Sequence, residues 1–242
     1  MTARRALLHR LLSTGALAAA LPAVASIAGA QRATTTARRE DAAATIDRAS
    51  RAFKRARTVR ATFEQTLNNP TTGTTASSTG ELVLAQPNKL SVRFAQPAGD
   101  RVVSDGRTLW VYLPSAAPGQ VIKVPAGAKG VAGVDLVGEL LDNPRARYVA
   151  SDAGAQTIGG RATRGVLLMP KSDAQPVQRA IVWVDDRDGA VRQLQLTDAN
   201  GLVRTLRMTS WRPNAAVPAS TFAFQVPAGV RIVDQAAFGG AR

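Results

Sequence analysis

The chain has 242 residues, with 31 Lys plus Arg against 17 Asp plus Glu, no Cys and one His, His9. His9 lies in an N-terminal stretch expected to be removed, so what remains excludes a Cys nucleophile, a Ser-His-Asp triad, a His general base, a Cys/His zinc site and any disulfide. Only carboxylates, Lys, Tyr and hydroxyls are left for chemistry, and this disfavours an enzyme.

Residues 1–30 read as a secretory signal peptide. Arg4, Arg5 and Arg10 precede an apolar run from Leu11, and Ala28-Gly29-Ala30 is an A-x-A cleavage site. An uncleaved anchor is the competing reading, but Ser13, Thr14, Gly15, Pro22 and Ser26 dilute the run. Arg4-Arg5 loosely resembles a twin-arginine signal, although Ala3 stands where Ser or Thr usually precedes the pair, so either export route is open. The destination is outside the cytoplasm, in the periplasm where the cell has one. Cleavage lowers the formal charge from +14 to +11. The basic residues are mostly Arg and scattered, with no aromatic–basic stacking motif, which points away from nucleic acid. Attraction to anionic lipid surfaces is compatible with this charge.

Residues 31–39 are small and polar and form a flexible leader. From Glu40, the spacing of Ile46, Ala49, Phe53 and Ala56 predicts an amphipathic helix over 40–57, with acids in its first turn and Lys54, Arg55 and Arg57 in its last. At Thr58 the period changes to two: Val59, Ala61, Phe63, Gln65 and Leu67 alternate with polar residues. Short strands follow, including Leu82 to Leu84, Leu90/Val92/Phe94 and Val102-Val103, which turns at Asp105-Gly106 into Leu109 to Leu113. Later strands are expected at 165–169, 180–184, 191–196, 203–211 and 222–226, with turns at Asp188-Gly189 and Asn200-Gly201. About ten strands at hairpin spacing indicate a mainly β (α+β) fold with an antiparallel sheet large enough to curl. Between 130 and 143 the apolar residues Val131, Val134, Leu136, Val137, Leu140 and Leu141 predict a short helix amid Gly-rich sequence. Such a helix either plugs one end of a sheet or acts as a movable lid over an apolar cavity.

No catalytic constellation emerges. Asp185, Asp186 and Asp188 crowd one turn, but Thr197 stands where a calcium loop needs its bidentate Glu, so they read as a charged hairpin tip. Glu64 and Glu81 lie opposite the apolar faces of their strands and read as solvated carboxylates. Gly159-Gly160 and Gly239-Gly240 lack the strand-to-helix context of a phosphate loop. Trp110, Trp183 and Trp211 lie on strands, where the core is the usual destination.

Three stretches together resemble the periplasmic lipoprotein carrier family, LolA. They are Phe63-Glu64-Gln65 with Gly80-Glu81-Leu82 and Pro87-Asn88-Lys89-Leu90; Val103-Ser104-Asp105-Gly106-Arg107-Thr108-Leu109-Trp110-Val111-Tyr112 followed by Gln120-Val121; and Phe222-Ala223-Phe224-Gln225-Val226-Pro227-Ala228-Gly229-Val230. The resemblance implies a carrier domain over 40–235, with 236–242 as a tail, built as an unclosed antiparallel β-barrel of about ten or eleven strands. It further implies an N-terminal helix at the barrel mouth and a lid role for the helix near 131–142. Acyl chains of lipoproteins would be shielded in the half-barrel and delivered from inner to outer membrane. The implied partners are acylated lipoproteins, an inner-membrane lipoprotein-releasing ABC transporter complex and an outer-membrane receptor, with the carrier a monomer needing no cofactor or metal. The receptor LolB shares the fold but is anchored through a lipidated Cys, so a chain without Cys resembles the soluble carrier. The expected acyl-cavity lining is Phe63, Leu90, Val92, Phe94, Trp110, Leu136, Val137, Leu140 and Leu141. Where the family places an Arg that latches the lid, directly before Pro87, this chain has Gln86. A Gln amide donates hydrogen bonds without charge or a five-donor fork. The alternative is an envelope lipid- or glycolipid-binding or signalling protein of the same fold, without lipoprotein cargo.

Overall fold

The computed structural model describes residues 41–125, 136–172 and 177–234. The expected signal peptide and leader, Glu40, residues 131–135 of the expected second helix and the expected 236–242 tail lie outside the described residues. Helix α1 covers 41–55. The strands are β1 (Thr58–Asn69), β2 (Thr74–Ala85), β3 (Lys89–Gln96), β4 (Arg101–Asp105), β5 (Thr108–Tyr112), β6 (Gln120–Pro125), β7 (Tyr148–Ile158), β8 (Arg161–Pro170), β9 (Val177–Asp185), β10 (Val191–Asp198), β11 (Val203–Met208), β12 (Arg212–Pro213) and β13 (Arg231–Asp234). Two short helices, α2 (Leu136–Leu141) and α3 (Pro144–Arg147), separate β6 from β7, and a 3-10 turn spans Ala219–Phe222.

All the strands belong to one sheet in the order β13-β6-β5-β4-β3-β2-β1-β11-β10-β9-β8-β7, with β12 added beside β1. The terminal strands β13 and β7 do not pair with each other, so the sheet is unclosed. The pairings are antiparallel except that of β13 with β6. Long β1 is the hinge of the topology: it pairs with β2 along its whole length and with the late strand β11, joining the two halves of the chain.

Alternation decides which face of this sheet is buried. Val59, Ala61 and Phe63 of β1 share a face with Leu84, Leu82 and Gly80 of β2, and that row continues through Leu90, Val92 and Phe94 of β3. Ala42, Ile46 and Ala49 of α1 and Val137, Leu140 and Leu141 of α2 bury against this inner face, as do Val166, Leu168, Val182 and Leu194 from the other half. Each large side chain so buried stabilises the fold by about 1.5–3 kcal/mol. Helix and sheet therefore share one core.

The sheet departs from expectation in identifiable places. Strands β6, β7 and β13 are additional to the predicted series, and β11 stops at Met208, with β12 taking up pairing four residues later. Residues 222–226 are not a strand: Phe222 ends the 3-10 turn and the segment after it is irregular. Its aromatic rings lie on the outer face of the sheet, where Phe224 stacks on Trp110 at 5.6 Å and Lys89 lies 5.9 Å over the Phe222 ring. These alternating aromatics mark a strap that docks through side chains. Its start is fixed where the Arg57 N–H donates to the Asn214 side-chain oxygen at 2.9 Å and the Thr58 hydroxyl donates to the Ala215 carbonyl at 2.7 Å.

Candidate functional site

The inner face and the two helices that fill it form the candidate site. Of the residues expected there, Phe63, Leu90, Val92, Val137, Leu140 and Leu141 are all buried in one continuous apolar cluster. Phe94 packs at its margin, edge-on to Phe63 at 5.6 Å. Gly80 permits that pairing, since a Cβ there would stand 2.9 Å from the Phe63 ring and 2.4 Å from the Arg93 carbonyl. Leu136 begins α2.

Trp110 does not join them. It pairs with Val103 and Lys123 on the outer face, while its neighbours Leu109 and Val111 face inward, and the strap covers it through Phe224. The run 109–113 is apolar on both faces because both faces of β5 are covered, so periodicity could not choose between them.

Gln86 is exposed, and its backbone N–H donates to the Arg57 carbonyl at 2.9 Å. Among the described residues no hydrogen bond links its side chain to α2. The helix is held from α1. The buried Ser50 hydroxyl donates to the Leu141 carbonyl at 2.7 Å, satisfying a C-terminal carbonyl that the short helix leaves without an internal partner. Around this bond, Arg145 pairs with Asp47 at 2.7 Å and Lys54 with Asp142 at 3.4 Å. Arg147 donates to the Glu139 carbonyl. Sequence reasoning missed this tether. The available signal was Ser50 itself, a hydroxyl four residues after Ile46 on the buried stripe, where a polar group requires a partner.

The Asp cluster also differs from a solvated tip. Asp185 is 1% exposed and accepts hydrogen bonds from Arg161 Nε at 2.6 Å and Arg192 Nε at 2.9 Å. Asp188 caps the same two guanidinium groups. Burial alone would raise the Asp185 pKa, but the Arg161 bond, the Arg187 backbone N–H and Arg192 together hold it well below the usual carboxylate range. The β9–β10 turn is thereby fixed under α1, where Asp186 lies 3.6 Å from Arg48 and Gly189 sits against Arg48 and Ala52. Glu81, on the outer face, pairs with Arg60 at 3.1 Å.

The family model described as "Outer membrane lipoprotein carrier protein LolA" matches residues 54–126, from the last two residues of α1 to just past the end of β6. The outer-membrane lipoprotein carrier protein of Chromobacterium violaceum is 29% identical over 178 residues, covering 73% of this chain and 81% of its own. That of Xanthomonas campestris pv. campestris strain B100 is 26% identical over 231 residues, 95% of this chain and 100% of its own. The chain is LolA-like. The fold of this LolA-like chain is shared by an uncharacterized conserved protein from Thermus thermophilus, with a TM-score of 0.52 at 12% identity over 80% of this chain and 99% of that one. The LolA match falls on the strands that carry Phe63, Leu90, Val92 and Phe94.

Proposed function

We propose that this LolA-like chain is a non-enzymatic periplasmic carrier that shields the acyl chains of lipoproteins against the inner face of its half-barrel and delivers them from inner to outer membrane. It would receive cargo from an inner-membrane lipoprotein-releasing ABC complex and pass it to an outer-membrane receptor. The observation that carries this reading is the way the inner face is filled: a six-residue helix, α2, inserts Val137, Leu140 and Leu141 into the core. The Ser50 tether links it to α1, and Asp142 and Arg145 of the segment after it pair with Lys54 and Asp47 of α1. Lifting α2 exposes an apolar surface that an acyl chain can cover, each buried methylene contributing about 0.8 kcal/mol. The cargo is then a ligand of the open form, and closure favours its release.

The chain has no Cys, so two introduced thiols are unique. In a double variant, Asp47→Cys with Arg145→Cys, a short bismaleimide would bridge α1 to the segment after α2. The bridged protein is expected to bind a fluorescent triacylated lipopeptide at least tenfold more weakly than the same variant capped at each thiol separately. Equal binding by bridged and capped forms would remove the lid from the mechanism. Delivery has its own test: cells lacking the chain should retain mature lipoproteins at the inner membrane, and an unchanged distribution would refute that part.

A further inference from the structure

On the outer face, away from the core, Ser91 of β3 pairs with Val83 and Val103 and is 1% exposed, yet its hydroxyl has no hydrogen-bond partner. It opens into a pocket of about 70 Å³ between β1–β3 and the strap, lined also by Arg60, Glu81, Val83, Arg93 and Thr221. Arg60 is engaged by Glu81 at 3.1 Å. Arg93 is exposed, and among the described residues its side chain has no hydrogen bond or ion pair. A buried hydroxyl without a partner is uncommon, and here it shares a small cavity with an uncompensated guanidinium. Apart from the occupied Glu81 carboxylate, the polar side chains facing the pocket are two guanidinium groups, which only donate, and two hydroxyls, which can donate, so its complement is a small group rich in acceptors.

We infer that this pocket is a binding site for a phosphate-type oxyanion, held by the Arg93 guanidinium and the Ser91 hydroxyl with Arg60 and Thr221 at its sides. Guanidinium groups suit tetrahedral oxyanions because they offer parallel N–H donors to adjacent oxygens. The pocket volume admits one such group and no sugar. Glu81 and Arg93 are also walls of a neighbouring open groove of about 500 Å³, lined by Thr62, Glu64 and Thr209 among others, which leaves room for a substituent on one phosphate oxygen. The anion is therefore either free phosphate or the head group of a phospholipid. Because the strap supplies Thr221, occupancy would join the strap to β1 and β3.

The test is calorimetric titration of the full mature chain with inorganic phosphate at constant ionic strength, repeated with short-chain phosphatidic acid below its micelle concentration. Saturable binding is expected, weakened about tenfold by Arg93→Gln and about fivefold by Ser91→Ala, as loss of charged and neutral hydrogen bonds implies. Glu81→Gln should tighten binding, since it removes the carboxylate that competes for Arg60. Thermal melting of each variant without anion confirms folding, and Arg93, being exposed, is a safe site to change. Tighter binding of the lipid than of inorganic phosphate assigns the site to a head group, and equal binding assigns it to the free anion. If neither ligand saturates at millimolar concentration, the pocket holds only water and the inference is wrong. Binding indifferent to Arg93→Gln overturns it equally, because the anion would then sit elsewhere.

Discussion

Asp185 shows how far one carboxylate can organise its surroundings. Two arginines, Arg161 on β8 and Arg192 on β10, converge on it from either side of β9, so three strands are joined through a group only 1% exposed. Replacing it with Asn would leave both guanidinium groups short of their compensating charge. Breaking such a pair from one side costs about 3 kcal/mol. For a chain of this size that corresponds to a melting temperature lower by roughly 6–12 °C. The pH dependence has a definite sign. The Asp185 pKa is depressed in the folded state, so the unfolded chain binds the proton more readily. Its stabilisation is complete above the ordinary carboxylate range and is lost as pH falls through about 4 towards the folded value. Acid titration of stability should therefore be shallower in Asp185→Asn than in the wild type, and parallel curves would refute the assignment. The same cluster shows a limit of sequence reading. Three acids at a turn suggest solvent exposure, because one of the two arginines on Asp185, Arg161, comes from the preceding strand 24 residues away and no local pattern joins it to the turn.

At the scale of elements, legibility followed burial of one face. Helix α1 and strands β1 and β3 were readable because each has one apolar face against the core and one polar face. Strand β7 was not: residues 150–157 are Ala, Ser, Asp, Gly, Gln and Thr, mostly exposed on both sides of a sheet edge, so no period of two appears. The strap misled for the opposite reason, since Phe222 and Phe224 alternate towards one surface without any ladder hydrogen bonds. Of the candidate site, the burial of Phe63, Leu90, Val92, Val137, Leu140 and Leu141 in one core was legible, whereas the side of Trp110 and the means of holding α2 were not. The strap predicts its own readout. Phe224→Ala should uncover Trp110, red-shift tryptophan emission and lower stability by about 1–3 kcal/mol. Unchanged emission would place the shielding of Trp110 elsewhere. The α2 tether is equally accessible. Ser50→Ala leaves the buried Leu141 carbonyl without a partner, at a cost of about 1–3 kcal/mol. Hydrogen exchange should accelerate in α2 before it does in β1, β2 or β3.

For the whole molecule, the question is whether α2 is a removable part of the core. Leu140 is 3% exposed and belongs to the same cluster as Phe63, Leu90 and Leu194, so in the closed form it behaves as core. Truncating a buried Leu to Ala costs about 2–5 kcal/mol. In a fixed plug, Leu140→Ala would lower global stability by that amount and leave lipopeptide affinity unchanged or weaker. In a lid, the same free energy mainly disfavours the closed form. The affinity of a ligand that selects the open form is reduced by the fraction of molecules that are open, so raising that fraction tightens apparent binding. A shift of about 2 kcal/mol corresponds to more than tenfold while the open state is the minor one. Leu140→Ala should therefore melt earlier when empty, bind the fluorescent lipopeptide at least tenfold more tightly, and regain much of its lost melting temperature once loaded. That recovery discriminates between the two because a ligand stabilises only the states to which it binds. A plug mutant would gain no open form to capture, so the gap between its melting temperature and that of the wild type would persist at any lipopeptide concentration.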